Sequence, residues 1–298
     1  MKKKANYRIL YSLLVGFLLF YSFYKGAVSI SGSLFFSHPA RMNIVFYGPA
    51  TRYYSIDARD KQNYSIQFDP EVKVDVPGGY GQYRIGSLGK LVSLEKDPEI
   101  IKKAFSATTT TFVHYYFYQN GEGIYYDNTQ EEDVKPALKD LFFYSSNASF
   151  LDRIYLAFLL SNINENYNKI RYRKETEEGL NDVLFQEKSF IQDSIGLLYN
   201  NDYREEQQTV QVLYRQNYST AESVSSLLEG NGIRVSDINK NTSINDCKVV
   251  IGEGDELSRT AKDIARFFSC PIVIGKTDIY DILFVLGEKE GEWEVNSF

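Results

Sequence analysis

Residues 76–91, VPGGYGQYRIGSLGKL, hold five glycines, two tyrosines, Arg84 and Lys90 in sixteen positions. A phosphate loop needs glycine, four spacers and then Gly-Lys-Ser/Thr, so that backbone N–H groups curl around phosphate and the hydroxyl reaches magnesium. Counting back from Gly89-Lys90 puts Arg84 at the first glycine position, and Leu91 stands where the hydroxyl is required. The run is not a P-loop. A second pair, Gly252 and Gly254, lies between a strand and a helix, as in a dinucleotide fold. There Leu257 replaces the third glycine, and Glu253, Asp255 and Glu256 repel phosphate. Asp57, Arg59 and Asp60 read as a solvated charged loop, with a vestigial metal site as the competing reading.

Other chemistry has little to work with. His38 and His114 are the only histidines, and Cys247 and Cys270 the only cysteines, too few for a zinc site or a disulfide scaffold. No residue is assigned a catalytic or metal-ligating role, and no cofactor is expected. The net charge of −6 lacks the basic stripe that counterion release on nucleic acid requires, so nucleic acid is excluded as a partner. The 24 tyrosines and 20 phenylalanines beside one tryptophan suit half-buried strands, with a glycan-facing surface as the sharper alternative.

The patterning predicts an α/β chain: an N-terminal membrane helix, a mixed α/β domain with a helical extension, and a small α/β C-terminal domain. Strands are expected at 42–48, 63–68, 72–76 and 108–118, with helices within 88–105. Residues 131–199 read as largely helical, 169–179 as a charged solvated segment, and 200–208 as a linker. From 209 onward, strands and helices alternate with short turns, and Ser219 or Thr220 is the expected helix cap. The domains are drawn at 1–30, 40–205 and 206–298.

The N-terminus carries Lys2, Lys3, Lys4 and Arg8, then sixteen uncharged residues at 9–24, closed by Lys25. About 24 Å of helix is slightly short for a bilayer core, and flanking tyrosines with a snorkelling Lys25 can bridge the deficit. The positive-inside bias places the bulk of the chain outside the cell membrane, either on a single-pass anchor or after a cleaved signal peptide. Cys247 and Cys270 each precede a strand, and export permits oxidation, so they form a candidate disulfide, with two free thiols as the alternative.

Residues 211–287 resemble the C-terminal domain of LytR-type (LytR–CpsA–Psr) cell-envelope proteins. The likeness rests on VQVLYR, a Thr-Ala-x-x-Val helix leading to LLEGNGIRV, then KVVIG, TAKDIARFF and a closing DILFVLGE. The C-terminal LytR-like domain spans about 209–290. The resemblance implies that the preceding region corresponds to the family's catalytic domain. There MNIVFYG fits the first strand, and VKVDVPGGYGQYRIGSLGKL fits a val-x-val-pro-gly tract. That family is thought to move glycopolymers from a pyrophosphate-linked lipid, with magnesium on acids and arginines on the diphosphate.

This chain departs from that pattern. Asn63 and Tyr64 stand where the family has an Asp-Thr pair, and Phe68-Asp69-Pro70-Glu71 replaces Pro-Arg-Asp. A bidentate arginine fork is hard to replace at a diphosphate. The resemblance therefore implies a degenerate, non-catalytic relative that binds wall glycopolymer, a lipid-linked precursor or an envelope partner. Arg84, Lys90 and Arg153 are the residual candidate ligands for lipid phosphate or glycan. The alternative is a divergent ligase or pyrophosphatase using Arg84 and Arg153.

Overall fold

The computed structural model describes residues 11, 13–17, 20, 21, 33, 39–119, 121, 123–126, 136–162, 167–176, 183–243, 245–254 and 256–295. The chain forms two compact units: Met1–Pro39 with Ala148–Asn162, and Ala40–Asn147 with Ile163–Phe298.

The larger unit begins with β1 (Arg41–Tyr47), β2 (Arg52–Asp57), β3 (Tyr64–Gln67), β4 (Val72–Val76) and β5 (Gly81–Arg84). Every residue of β1 is buried, because β1 lies inside its sheet, antiparallel to β2 and parallel to β6 (Tyr115–Tyr118). Helices α1 (Leu88–Glu95) and α2 (Glu99–Thr109) connect β5 to β6. The strand expected at 108–118 is shortened to β6. Thr108 and Thr109 stay in the last turn of α2 because their hydroxyls donate to the carbonyls of Ala104 and Phe105 at 2.8 and 2.7 Å. These bonds satisfy both buried hydroxyls within the helix, so neither threonine needs a partner outside it.

The helical extension expected over 131–199 is corrected in its described parts. Beside α3 (Leu138–Phe143) and α4 (Phe150–Asn162), it contains β7 (Ser145–Ser146), β8 (Asn168–Lys169), β9 (Lys174–Thr176) and β10 (Val183–Phe185), and then α5 (Glu187–Ser194). The segment expected to be solvated instead contributes strand residues, because its charges alternate with Ile170 and Tyr172, which pack on the core. The strands build two sheets, ordered β7-β6-β1-β2-β3-β8 and β5-β4-β10-β9. Phe68, Phe105, Tyr53 and Phe190 lie in the core of this half, each at most 1% exposed. The tyrosine-rich composition is thus partly structural: buried Tyr53 keeps its hydroxyl paired with Thr111 at 2.7 Å.

Residues 200–208, expected as a linker, form α6 (Asn201–Glu206), capped by the Asn200 side chain on the Asp202 N–H. Then follow β11 (Thr209–Tyr214), α7 (Tyr218–Gly230), β12 (Arg234–Lys240), β13 (Lys248–Ile251), α8 (Arg259–Phe268), β14 (Ile272–Ile274), β15 (Ile282–Val285) and α9 (Lys289–Glu292). The alternation read from 209 onward is present. The cap of α7 is Asn217, two or three residues before the expected Ser219 or Thr220, because its Oδ1 accepts the Ser219 and Thr220 N–H groups. This sheet runs β12-β11-β15-β13-β14 around a second core that includes Val212, Phe284 and Trp293.

The two halves of this unit are joined by polar contacts as well as by packing. Buried Asp202 receives Arg59 at 2.6 Å, Arg259 at 2.8 Å and the Ala40 N–H at 3.2 Å. Glu206 accepts the N–H groups of Arg259 and Thr260 at the start of α8. Gly230 sits so close to Thr110 that an added Cβ would stand 1.9 Å from its carbonyl oxygen.

In the smaller unit, Ser149 and Asp152 cap α4 reciprocally, and Ser33 Oγ donates to Asp152 Oδ1 at 2.5 Å. Tyr11, Leu13, Leu14, Phe17 and Phe20 are exposed. Half of the candidate span at 9–24 lies outside the described residues. Among the described residues no helix is long and apolar enough to cross a membrane.

Candidate functional site: a cationic cleft over β3 and β8

The glycine-rich run is satisfied internally. Its first glycines form the turn of the β4–β5 hairpin, with φ of +98° at Gly78, +77° at Gly79 and +78° at Gly81. The N–H groups of Gly78 and Gly79 converge on one acceptor, the carbonyl oxygen of Glu294, at 2.9 and 3.1 Å. This is the nest geometry that elsewhere holds an anion. The Gly86 N–H donates to the Pro70 carbonyl at 2.9 Å, and the Gly89 N–H to the Tyr47 hydroxyl at 2.7 Å. Gly86 admits the Tyr125 carbonyl, which an added Cβ would meet at 2.0 Å. The donors a phosphate would use are therefore spoken for.

Arg84 ends β5, half-exposed, with its guanidinium 3.2 Å from Glu71. Lys90 is exposed on α1. Arg153 belongs to the smaller unit, where its Nε donates to the Ala148 carbonyl at 3.3 Å and burial lowers its pKa. None of the three lines the cleft described next.

That cleft, of about 470 Å³, is lined by Arg52, Lys169, Arg171 and Lys174 against a single carboxylate, Asp69. Strand pairing positions them. β8 runs parallel to β3, with Tyr64 opposite Asn168 and Ser65 opposite Lys169. The Ile170 N–H donates to the Ser65 carbonyl at 2.9 Å and extends the pairing. Period-two alternation then sends Ile170 and Tyr172 toward the core and leaves Lys169 and Arg171 exposed. Arg52 enters from β2, opposite Gln67.

Asp69 is already engaged. Lys174 Nζ lies 2.5 Å from its Oδ2, and the Glu71 N–H donates to its Oδ1 at 3.0 Å. Burial works to raise the Asp69 pKa, but Lys174 and the Glu71 N–H outweigh it and hold the carboxyl below its ordinary value. Tyr172 stacks on Phe68 with centroids 5.4 Å apart, and its hydroxyl accepts the Asp69 N–H at 2.8 Å. Burial pushes that hydroxyl up to about 12. The arrangement is a cationic wall beside Ile66, Ile170 and Tyr172, able to hold an anion. Among the described residues, no group of three or more histidines, cysteines or acids could hold a metal ion.

Sequence reading missed this cleft because Arg52 on β2 lies far along the chain from Lys169, Arg171 and Lys174, and neither stretch carries a motif. The faint signal was the alternation at 169–174, Lys-Ile-Arg-Tyr-Arg-Lys. Away from the cleft, Cys247 and Cys270 are in disulfide contact, with Cα atoms 5.4 Å apart.

No family model matches the chain, and no curated protein matches it. Among solved structures, the chain is similar to Bacillus subtilis TagT at 11% identity and a TM-score of 0.35, over 52% of this chain and 91% of that one. It is also similar to the Lin1025 protein of Listeria innocua, at 10% identity and a TM-score of 0.32, over 51% and 94% of the two chains. A third, the transcriptional regulator EF0465 of Enterococcus faecalis, is 9% identical with a TM-score of 0.34, over 66% and 88%. Likeness of this degree leaves the function to be argued from the chain's own residues.

Proposed function

We propose that this chain is a membrane-anchored, exported cell-envelope protein that binds a phosphate-bearing wall polymer or its lipid-linked precursor without turning it over. The observation that carries the reading is the cleft itself: four cations and one neutralised carboxylate gathered on a chain of net charge −6. A local concentration of one charge against the global sign focuses field toward anions. The LytR-type resemblance of residues 211–287 and the basic, apolar N-terminus support an envelope location. No catalytic group is assigned, because the family's Asp-Thr pair and its Pro-Arg-Asp arginine have no counterpart at residues 63, 64 and 68–71.

The test is retention of the detergent-purified full chain on poly(glycerol phosphate), with neutral dextran as control. Binding should weaken with salt, and a Lys169→Gln, Arg171→Gln variant should lose about tenfold, on the scale of two charge-assisted contacts. Equal retention of the variant, or none of the parent, refutes the reading. Phosphate release from a polyprenyl diphosphate with Mg²⁺ would replace it with the ligase or pyrophosphatase alternative.

A further inference from the structure

A second cavity, of about 600 Å³, opens between the glycine-rich turn, the start of α2 and the ends of α8 and α9. Its charged wall is balanced, with Lys102, Lys103 and Lys289 interleaved with Asp97, Glu99 and Glu292. Lys102 lies 3.3 Å from Glu99, while Lys103 and Lys289 lie 3.4 and 2.6 Å from Glu292. The rest of the wall includes three aromatic residues, Tyr80, Phe267 and Trp293. Trp293 is buried, while Phe267 is already stacked on Phe112 at 4.3 Å and carries Lys102 4.8 Å over its ring, so Tyr80 at the rim is the ring offered to a ligand.

The composition of the wall restricts what fits. A strong anion would face three carboxylates, and a cation would face three ammonium groups. A purely apolar ligand would strip water from all six charged ends without replacing its hydrogen bonds. A sugar ring suits this wall: its hydroxyls can donate to carboxylates and accept from ammonium groups, and its C–H face can lie on the Tyr80 ring. We propose that this cavity binds an uncharged saccharide segment, at a site separate from the cationic cleft.

The glycine-rich turn then has a positioning role. Its amides are fixed on Glu294, and Gly78 leaves room for the Tyr80 ring, whose Cε2 would stand 3.1 Å from an added Cβ. Tyr80 is held at the rim by backbone it does not itself constrain. The inference rests on different residues from the anion reading, so the failure of one leaves the other standing.

Trp293 is the only tryptophan in the chain, so tryptophan emission reports this cavity alone. The detergent-purified full chain is titrated with a β-1,4-linked N-acetylglucosamine tetramer, with inorganic phosphate as control, following emission and heat together. Saturable binding is expected for the saccharide and none at this site for phosphate. Tyr80→Ala should bind about fivefold more weakly, the scale of one lost ring contact. Asp97→Asn, which keeps an acceptor for the Glu99 N–H, should also weaken binding, while Lys174→Gln in the other cleft should not. The proposal is overturned by absence of heat and emission change up to about 10 mM saccharide. Equal affinity of a folded Tyr80→Ala variant overturns it as well.

Discussion

The N–H of Gly78 donates to the carbonyl oxygen of Glu294 at 2.9 Å, with Gly79 adding a second bond at 3.1 Å. A glycine run near the start of the larger unit thus clamps the backbone near the end of the chain. The anion-like nest is filled by a peptide dipole, which ties the hairpin to the segment carrying Trp293.

That clamp depends on a left-handed backbone. Gly78→Ala should lower stability by about 1–2 kcal/mol, the cost of a Cβ at positive φ. Tyr80 must also shift from the new methyl group. By contrast, Arg84→Ala removes a half-exposed ion pair with Glu71 and should cost about 0–1 kcal/mol. Urea denaturation of both variants checks the ordering, and an equal loss in the two would refute it.

Asp202 is buried between Arg59 and Arg259 and also accepts the Ala40 N–H. Asp202→Asn keeps the shape but leaves two guanidinium groups without their shared anion. Arg59 is half-exposed and keeps Glu205, and Arg259 keeps Asp263, so a loss of about 1–3 kcal/mol is expected, less than for a fully buried pair. Unfolding followed by both tyrosine and tryptophan signals measures it. A loss below about 1 kcal/mol would mean solvent already compensates the charges.

Cys247 and Cys270 are 23 residues apart in sequence. If the pair is oxidised, intact mass should rise on reduction and alkylation by two modified thiols. A Cys247→Ala, Cys270→Ala variant should lose about 3 kcal/mol through the freed loop entropy of the unfolded chain. Alkylation of both thiols without prior reduction would count decisively against the bond.

His114 accepts the Asn43 N–H on Nδ1 at 3.1 Å. Burial, with repulsion from Lys102 and Arg266, pushes its pKa from 6.5 down to about 3. The unfolded chain takes up this proton first. Stability from this residue is therefore fully present above its ordinary pKa and is lost as pH falls toward the folded value. The slope is at most about 1.4 kcal/mol per pH unit. His114→Gln offers an uncharged acceptor and should flatten stability against pH across that window. Parallel curves for parent and variant would show that the imidazole is not desolvated.

The sequence by itself determined the local elements wherever period and punctuation agreed. The alternating strands and capped helices after Thr209 emerge from spacings of two and 3.6 residues and from Asn and Gly boundaries, which act over a few positions. It also removed the P-loop, because Leu91 has no hydroxyl to offer magnesium. Residues 169–174 misled because short edge pairing leaves charged residues outward, so a strand resembles solvated coil. Only the tertiary structure decided which cations meet and where the glycine amides point. Arg52 and Lys169 converge because β2 and β8 both pair with β3, and Gly78 reaches Glu294 because the β4–β5 turn meets the segment that follows α9. Such contacts depend on pairing and packing between distant segments, and no local spacing encodes them.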